Sequence, residues 1–260
     1  MRFLTLAAVI LATPVAGHEF WISPDAYRVA PGAPVTANIR VGESFKGNAF
    51  SYFDRSTARF DVLWSNRVID PEPVLGDRPV LNKTLQGEGL AVVVFETVDS
   101  RLTYTNWQKF IDFVEHKDFD GALARHAERG LPQSGFVETY RRYAKSLVAV
   151  GDGKGADRDV GLDTEIIALA NPYTDDVSGG LPVLVTLYGE PRRDAQVETY
   201  ARDTSGEVSV ALTRTNGNGV AVIDVEPGHD YMVDAVVLEE REGEVSWHTM
   251  WANLTFSVPE

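Results

Sequence analysis

Three segments near the start of the chain have the apolar pattern of β-strands. They are residues 33–42 (APVTANIRVG), 59–64 (RFDVLW) and 90–98 (LAVVVFETV). The last two are rich in β-branched and aromatic side chains, and stretches with Pro and Gly, such as DPEPVLGDRP, lie between the segments. This arrangement is typical of strands joined by turns. We therefore predict an antiparallel β-sandwich over residues 18–104.

The apolar spacing becomes helical at the start of the next segment, residues 105–160. In NWQKFIDFVEHK, apolar residues recur three and four positions apart, which predicts an amphipathic helix. Asn106 is a suitable N-cap because its side-chain oxygen can accept a free amide of the first turn. The stretch DFDGALARHAERG predicts a second short helix that stops at Gly130.

The stretch VETYRRYAKSLVAVG, residues 137–151, also fits a helix. One apolar face of that helix would carry Tyr140, Tyr143, Ala144, Leu147 and Val148. The following GDGKGADRD, residues 151–159, lacks the endings of a P-loop and of an EF-hand, so we predict a linker loop. The helical segment is expected to pack on the sandwich or to bridge two halves of the protein.

The remaining residues, 161–260, return to strand patterns at close spacing. Six segments qualify: residues 181–189, 195–203, 207–215, 219–228, 231–240 and 245–258. NGNG at 216–219 predicts a hairpin turn, because Asn and Gly tolerate positive φ angles. This spacing indicates a second, immunoglobulin-like sandwich. The predicted fold class is therefore mainly β, with two immunoglobulin-like antiparallel sandwiches and a short helical segment between them.

Residues 1–17 have the pattern of a secretory signal peptide. Arg2 precedes the apolar stretch FLTLAAVILA, which is too short to span a bilayer as a helix. Small residues before a cleavage site favour a cut after Gly17, which would make His18 the first residue of the mature protein. We expect export to the periplasm, with no membrane span after cleavage.

The net charge of the chain indicates which kinds of partner it can bind. The formal net charge is −14 and there is no cysteine. An acidic protein repels phosphate backbones, which argues against nucleic acid, and it raises the local concentration of cations. No disulfide is available, but the chain is long enough to bury a substantial core without one.

Several motifs resemble a known family. They are HEFWISP at residues 18–24, ETYRRYAKSLVAVG at 138–151, DTEIIALANPY at 163–173 and WANLTFSVP at 251–259. With these motifs the chain resembles a group of periplasmic proteins of unknown function that are commonly labelled as periplasmic components of nickel or cobalt uptake transporters. The resemblance implies a role in metal delivery or metal sensing and an inner-membrane metal importer as partner.

His18 is the first candidate metal ligand. If it is the mature N-terminus, its α-amino group and imidazole Nδ1 can chelate one divalent ion, because the amine loses its proton near neutral pH. His116 and His126 are candidates to complete the site, with Glu19 or Asp112 orienting a ligand. Such nitrogen donors suit Ni(II) or Cu(II), and the expected cofactor is a divalent transition metal: nickel or cobalt, with copper as an alternative.

Two other histidines have simpler interpretations. His229 lies in a turn, and His248 lies between Trp247 and Met250 in a strand that we expect to be core. Four tryptophans could form a sugar platform, but their positions at the starts of strands and helices favour core anchors: Trp21, Trp107, Trp247 and Trp251.

No catalytic motif is found, since the chain has no G-x-S-x-G, no H-E-x-x-H and no Cys nucleophile. The expected function is metal binding without catalysis. Two alternatives remain open: a metal-free binding or scaffold module, and a copper-dependent oxidative enzyme that uses the N-terminal His.

Overall fold

The computed structural model describes residues 18–260, so the predicted signal peptide lies outside the described residues. The first strands are β1 (Glu19–Pro24), β2 (Arg28–Val29), β3 (Pro34–Glu43), β4 (Lys46–Phe50), β5 (Thr57–Trp64), β6 (Arg67–Ile69), β7 (Leu81–Thr84), β8 (Gly89–Thr97) and β9 (Ser100–Tyr104), with a short 3₁₀ turn at Asp54–Ser56. The helices α1 (Trp107–His116) and α2 (Ala122–Glu128) follow. The last strands are β10 (Phe136–Val150), β11 (Thr164–Ala168), β12 (Leu181–Leu187), β13 (Glu190–Pro191), β14 (Gln196–Arg202), β15 (Val208–Arg214), β16 (Val220–Ile223), β17 (Asp230–Glu240) and β18 (Trp247–Ser257). The mainly β prediction is confirmed.

A ten-stranded sheet forms the centre of the protein. Its main order is β15-β14-β17-β18-β10-β8-β5-β6, and β2 and β9 also pair with β10. The pairings are antiparallel except that β10 runs parallel to β18 and β2. Strands from both predicted sandwiches therefore share one sheet, with β10 between them.

Two smaller sheets cover the faces of the central sheet. β11, β12, β13 and β16 form one of them, and β1, β3, β4 and β7 form the other. Burial follows the alternation of side chains along a strand. Tyr143 and Leu147 of β10 pack into the core with Val183 and Val185 of β12. Ala144 and Val148 of β10 face the opposite way and join the core that contains β1 and β3 residues.

The helices cover the remainder of the face on which β1 lies. α1 is amphipathic and buries Phe110, Phe113 and Val114. The Asn106 side chain caps it by accepting a hydrogen bond from Gln108 N at 2.9 Å, as predicted. α2 is followed by Gly130 at φ +66°, which agrees with the predicted stop. Neither helix of the described residues is long and apolar enough to cross a membrane.

The predicted helix over residues 137–151 is wrong, because this stretch is strand β10. Eight consecutive residues from Tyr143 to Val150 are buried, since β10 lies in the middle of a sheet that is covered on both faces. An uninterrupted buried run fits a helical face as well as a strand, and periodicity alone does not separate them. Its β-branched and aromatic residues were the signal that favours the strand.

The predicted hairpin at NGNG is also corrected. The turn is present, with Gly219 N bonded to Asn216 O at 2.9 Å and Gly219 at φ +75°. However, β15 before it pairs with β14, whereas β16 after it pairs with β12. The turn therefore carries the chain from the central sheet to a covering sheet.

The 151–159 loop has no regular secondary structure, as predicted, but one of its residues is a structural anchor. Asp157 Oδ1 lies 2.8 Å from the buried Lys145 Nζ, and its Oδ2 accepts the Ala168 amide at 2.9 Å. Glu165 Oε1 lies 2.7 Å from the same ammonium. This ion-paired group ties the loop to β10 and β11.

Candidate functional site

Three carboxylates from three different strands meet on the face of the central sheet that carries α1 and β1. Glu19 follows His18 at the start of β1, and Glu198 of β14 lies directly opposite Asp234 of β17. All three residues are at most 3% exposed. We call Glu19, Glu198, Asp234 and the lysine between them, Lys117, the acidic cluster.

Lys117 brings the positive charge of the acidic cluster. It directly follows α1, and its amide bonds to Phe113 O at 3.0 Å, which continues the helical turn. Its Nζ lies 2.5 Å from Glu198 Oε2, 3.2 Å from Asp234 Oδ2 and 3.9 Å from Glu19 Oε1. The end of α1 is thereby fixed to both β1 and the central sheet.

The acidic cluster holds more carboxylates than its one lysine can neutralise. Tyr200 donates a hydrogen bond to Glu19 Oε1 at 2.8 Å, but Glu19 Oε2 and Asp234 Oδ1 are buried and have no hydrogen-bond partner. Buried charges without partners are costly, so these oxygens favour a proton or a cation.

The pKa values follow this imbalance. Burial and the neighbouring Asp234 raise the pKa of Glu19 to about 7, although Lys117 and Tyr200 oppose the change. Burial also raises the pKa of Asp234. Burial acts in the same direction on Glu198, but the hydrogen bond from His116 and the charge of Lys117 outweigh it and hold that pKa at about 2. Glu198 is therefore ionised near neutral pH.

His116 lies at the exposed edge of the acidic cluster. Its Nε2 is 3.2 Å from Glu198 Oε1, and its side chain is 42% exposed. The residue four positions earlier, Asp112, instead accepts a hydrogen bond from Gln108 Nε2 at 2.8 Å. The structure thus gives His116 a carboxylate neighbour from β14 and not from its own helix.

His18 lies next to the acidic cluster along the chain. Its Nδ1 is 3.3 Å from Glu43 Oε1, and both side chains are about half exposed. Arg142 Nη2 donates to the His18 carbonyl at 3.2 Å, which fixes the backbone where β1 begins. Glu43 was not anticipated from the sequence, and it supplies a carboxylate beside the predicted chelating imidazole.

The structure does not bring His126 to His18 or His116. It is 1% exposed and packs among aromatic side chains that include Trp107 and Phe110, near the start of α1. Trp247 Nε1 donates to His126 Nδ1 at 3.1 Å, and His126 Nε2 lies 3.1 Å from Pro132 O. Both ring nitrogens are therefore occupied within the core.

The two remaining histidines lie elsewhere. His248 faces a cleft of about 410 Å³ that Arg141, Asp163 and Tyr188 also line, and its Nδ1 is 2.8 Å from Thr139 Oγ1. Thr139 and His248 are register partners in β10 and β18. His229 lies where β17 begins, with Nδ1 3.1 Å from Pro227 O. Within residues 18–260, no group of three or more His, Asp or Glu side chains is arranged to hold a metal ion.

A family model matches residues 15–239, under the description "Domain of unknown function (DUF4198)". The chain belongs to this family. No curated protein sequence matches it.

One solved structure that aligns with this DUF4198 chain is described as "Crystal structure of tetra-tandem repeat in extending region of large adhesion protein". The two are 15% identical, and the alignment covers 92% of this chain and 49% of that one, with a TM-score of 0.22. The chain thus spans about half the length of that structure, and a likeness at this level supports no statement about function.

Besides Glu43, sequence reasoning missed every member of the acidic cluster except Glu19. Glu198 lies between Val197 and Thr199 in the mixed segment QVETYAR, and Asp234 interrupts the apolar run YMVDAVVL. A carboxylate at an inward position of a buried strand was the available signal, because such residues are rarely buried without a partner.

Proposed function

We propose that this DUF4198 chain is an exported protein that binds a divalent transition metal where the start of β1 meets the end of α1. The metal is nickel or cobalt, with copper as the alternative. In this proposal the protein resides in the periplasm and delivers the ion to an inner-membrane importer. It has no catalytic role.

One observation carries the proposal. Glu198 contacts both His116 Nε2, at 3.2 Å, and Lys117 Nζ, at 2.5 Å, while Glu19 lies 3.9 Å from the same Nζ. His116 therefore contacts the acidic cluster directly, and His18 precedes its member Glu19 by one position in the chain. Negative charge at this corner attracts cations, as does the overall charge of −14.

His18 supplies the proposed primary chelate. After cleavage at Gly17, its α-amino nitrogen and Nδ1 would bind one ion, and Glu43 Oε1, now 3.3 Å from Nδ1, is positioned to add an oxygen. His116 is the imidazole that contacts the acidic cluster, whereas His126 has no role in this proposal because both its nitrogens are bonded in the core. Nitrogen donors with one or two carboxylates suit divalent nickel, cobalt and copper.

The test is calorimetric titration of protein that begins at His18 with Ni(II), Co(II), Cu(II) and Zn(II). A matched protein with one Ala placed before His18 keeps the His18 imidazole, but its α-amino group then belongs to the added Ala. We expect the extension to weaken binding at least tenfold, and His116→Ala to weaken it by a smaller factor. His229→Ala, in a distant turn, is the control and should bind like the wild type.

Three results would count against the proposal. If none of the four ions binds to the protein that begins at His18, the metal-free scaffold alternative is favoured. If copper binds and the loaded protein consumes oxygen or peroxide together with a substrate, the oxidative-enzyme alternative replaces it. Equal affinity with and without the added Ala would exclude the N-terminal chelate.

A further inference from the structure

Strand β15 forms one end of the central sheet and is open along its outer side. It pairs with β14 only, and among residues 18–260 no strand pairs with its other edge. Four consecutive residues, Ser209 to Leu212, are exposed. Open strand edges can pair with another strand, and natural proteins usually protect them with charges, Pro or a covering element.

No such protection is present in the middle of β15. Residues 208–213, VSVALT, contain no charged residue and no Pro, in a chain whose net charge is −14. Val210 is 50% exposed and Leu212 is 62% exposed. The opposite end of the sheet differs, because β6 has only three residues and begins with Arg67. β15 is thus the longer and less charged of the two edges.

The hydrogen-bond pattern shows which backbone groups face outward. Thr215 N bonds to Ala195 O, and Glu207 O accepts from Asp203 N, so the odd-numbered residues direct their backbone toward β14. In an antiparallel ladder alternate residues bond to the same neighbour. The N–H and C=O groups of Val208, Val210, Leu212 and Arg214 therefore point to the open edge.

We propose that β15 pairs with β15 of a second copy of this chain, antiparallel and about a two-fold axis at Ala211. This register sets Val210 opposite the partner's Leu212 and Val208 opposite the partner's Arg214. Each of these pairs exchanges two backbone hydrogen bonds, so every residue whose backbone faces the open edge is paired. The exposed Val and Leu side chains meet on one face. No charge opposes a like charge, which matters for two molecules of the same net charge.

The proposed contact joins two central sheets into one continuous sheet. A closed two-fold arrangement uses the same patch on both copies, so it forms dimers and not filaments. One strand pair buries less area than a standard stable interface, so the dimer should be weak and depend on concentration. The inference does not rest on metal binding, and it goes beyond the proposed function.

Sedimentation over a concentration series, on protein that begins at His18, tests for the dimer. Leu212→Lys places a charge opposite the partner's Val210 and should shift the dissociation constant upward at least tenfold. Val68→Lys makes the same change at another exposed apolar residue, on β6, and should leave dimerisation unchanged. A monomer at every concentration, or equal effects of the two variants, would overturn the proposal.

Cross-linking tests the register itself, because the natural chain has no cysteine. In the proposed dimer Ala211 faces its own copy in a non-hydrogen-bonded pair, about 4.5 Å between Cα atoms, which lies within disulfide range. Ala211→Cys should form a covalent dimer under mild oxidation. Ser209→Cys, on the same strand and face, lies four residues out of register from its own copy and should not. Equal cross-linking of the two would contradict the pairing.

Discussion

Lys117, the residue that follows α1, places its ammonium Nζ 2.5 Å from the buried carboxylate oxygen Oε2 of Glu198 in β14. Both side chains are 4% exposed, so this ion pair joins the helix to the central sheet out of contact with bulk water. The same ammonium faces Asp234 and Glu19. It is therefore a cation shared by three buried carboxylates.

Lys117→Met should strongly destabilise the protein. Removing one partner of a buried ion pair leaves uncompensated charge, and the expected loss in unfolding free energy is about 3–5 kcal/mol at pH 8. Without the ammonium the carboxylates bind protons more tightly in the folded state, so the loss should shrink as the pH falls toward 5. Urea unfolding at the two pH values measures both effects.

Lys109→Met is the control for this variant, because Lys109 is an exposed residue of the same helix. It should change the unfolding free energy by less than about 0.5 kcal/mol. If Lys117→Met behaved like this control, the acidic cluster would not depend on its lysine for stability.

We expect Glu138, which lies outside the acidic cluster, to make the stability of the fold depend on pH in a second way. It is fully buried in β10, where Tyr104 and Thr249 both donate hydrogen bonds to it, and burial raises its pKa to about 7. A carboxyl group with a raised folded-state pKa stabilises the fold while it is protonated. Its contribution is therefore complete below pH 4.5, the ordinary value, and is lost as the pH rises to about 7.

Glu138→Gln keeps the shape but cannot ionise. The decrease in unfolding free energy between pH 5 and pH 8 should become smaller, by on the order of 2 kcal/mol. Part of the decrease should remain, because the pKa of Glu19 is also raised to about 7. Glu242→Gln, at an exposed position, should leave the profile as in the wild type. A Glu138→Gln profile with the wild-type slope would show that Glu138 does not titrate in this range.

Local patterns in the sequence were enough to predict much of the fold. The strands of the last hundred residues and the Asn106-capped helix α1 depend on alternation, helical spacing and turn residues, which act over a few positions. β10 could not be assigned in this way. Its buried run reflects the two sheets that cover it, and those contacts join residues that are far apart in the chain.

The candidate site was predicted only in part for a similar reason. The sequence identified His18 and His116 as chemically capable residues, but nothing local shows that Glu198 and Asp234 become neighbours through the pairing of β14 with β17. The same limit applies to His126. Its partner Trp247 is 121 positions away along the chain, and only the folded structure shows that the ring is used in the core.

The variant His126→Phe tests whether His126 is a structural residue or a metal ligand. In the wild type Nδ1 accepts from Trp247 Nε1, which leaves Nε2 to donate to Pro132 O. Phe retains the aromatic packing but removes both hydrogen bonds, and leaving the buried Trp247 Nε1 unpaired should cost about 1–3 kcal/mol of unfolding free energy. Metal titration of the folded variant, in protein that begins at His18, should give the same affinity as the wild type. The opposite result would be unchanged stability together with a loss of metal affinity as large as that of His116→Ala. That result would place His126 among the ligands.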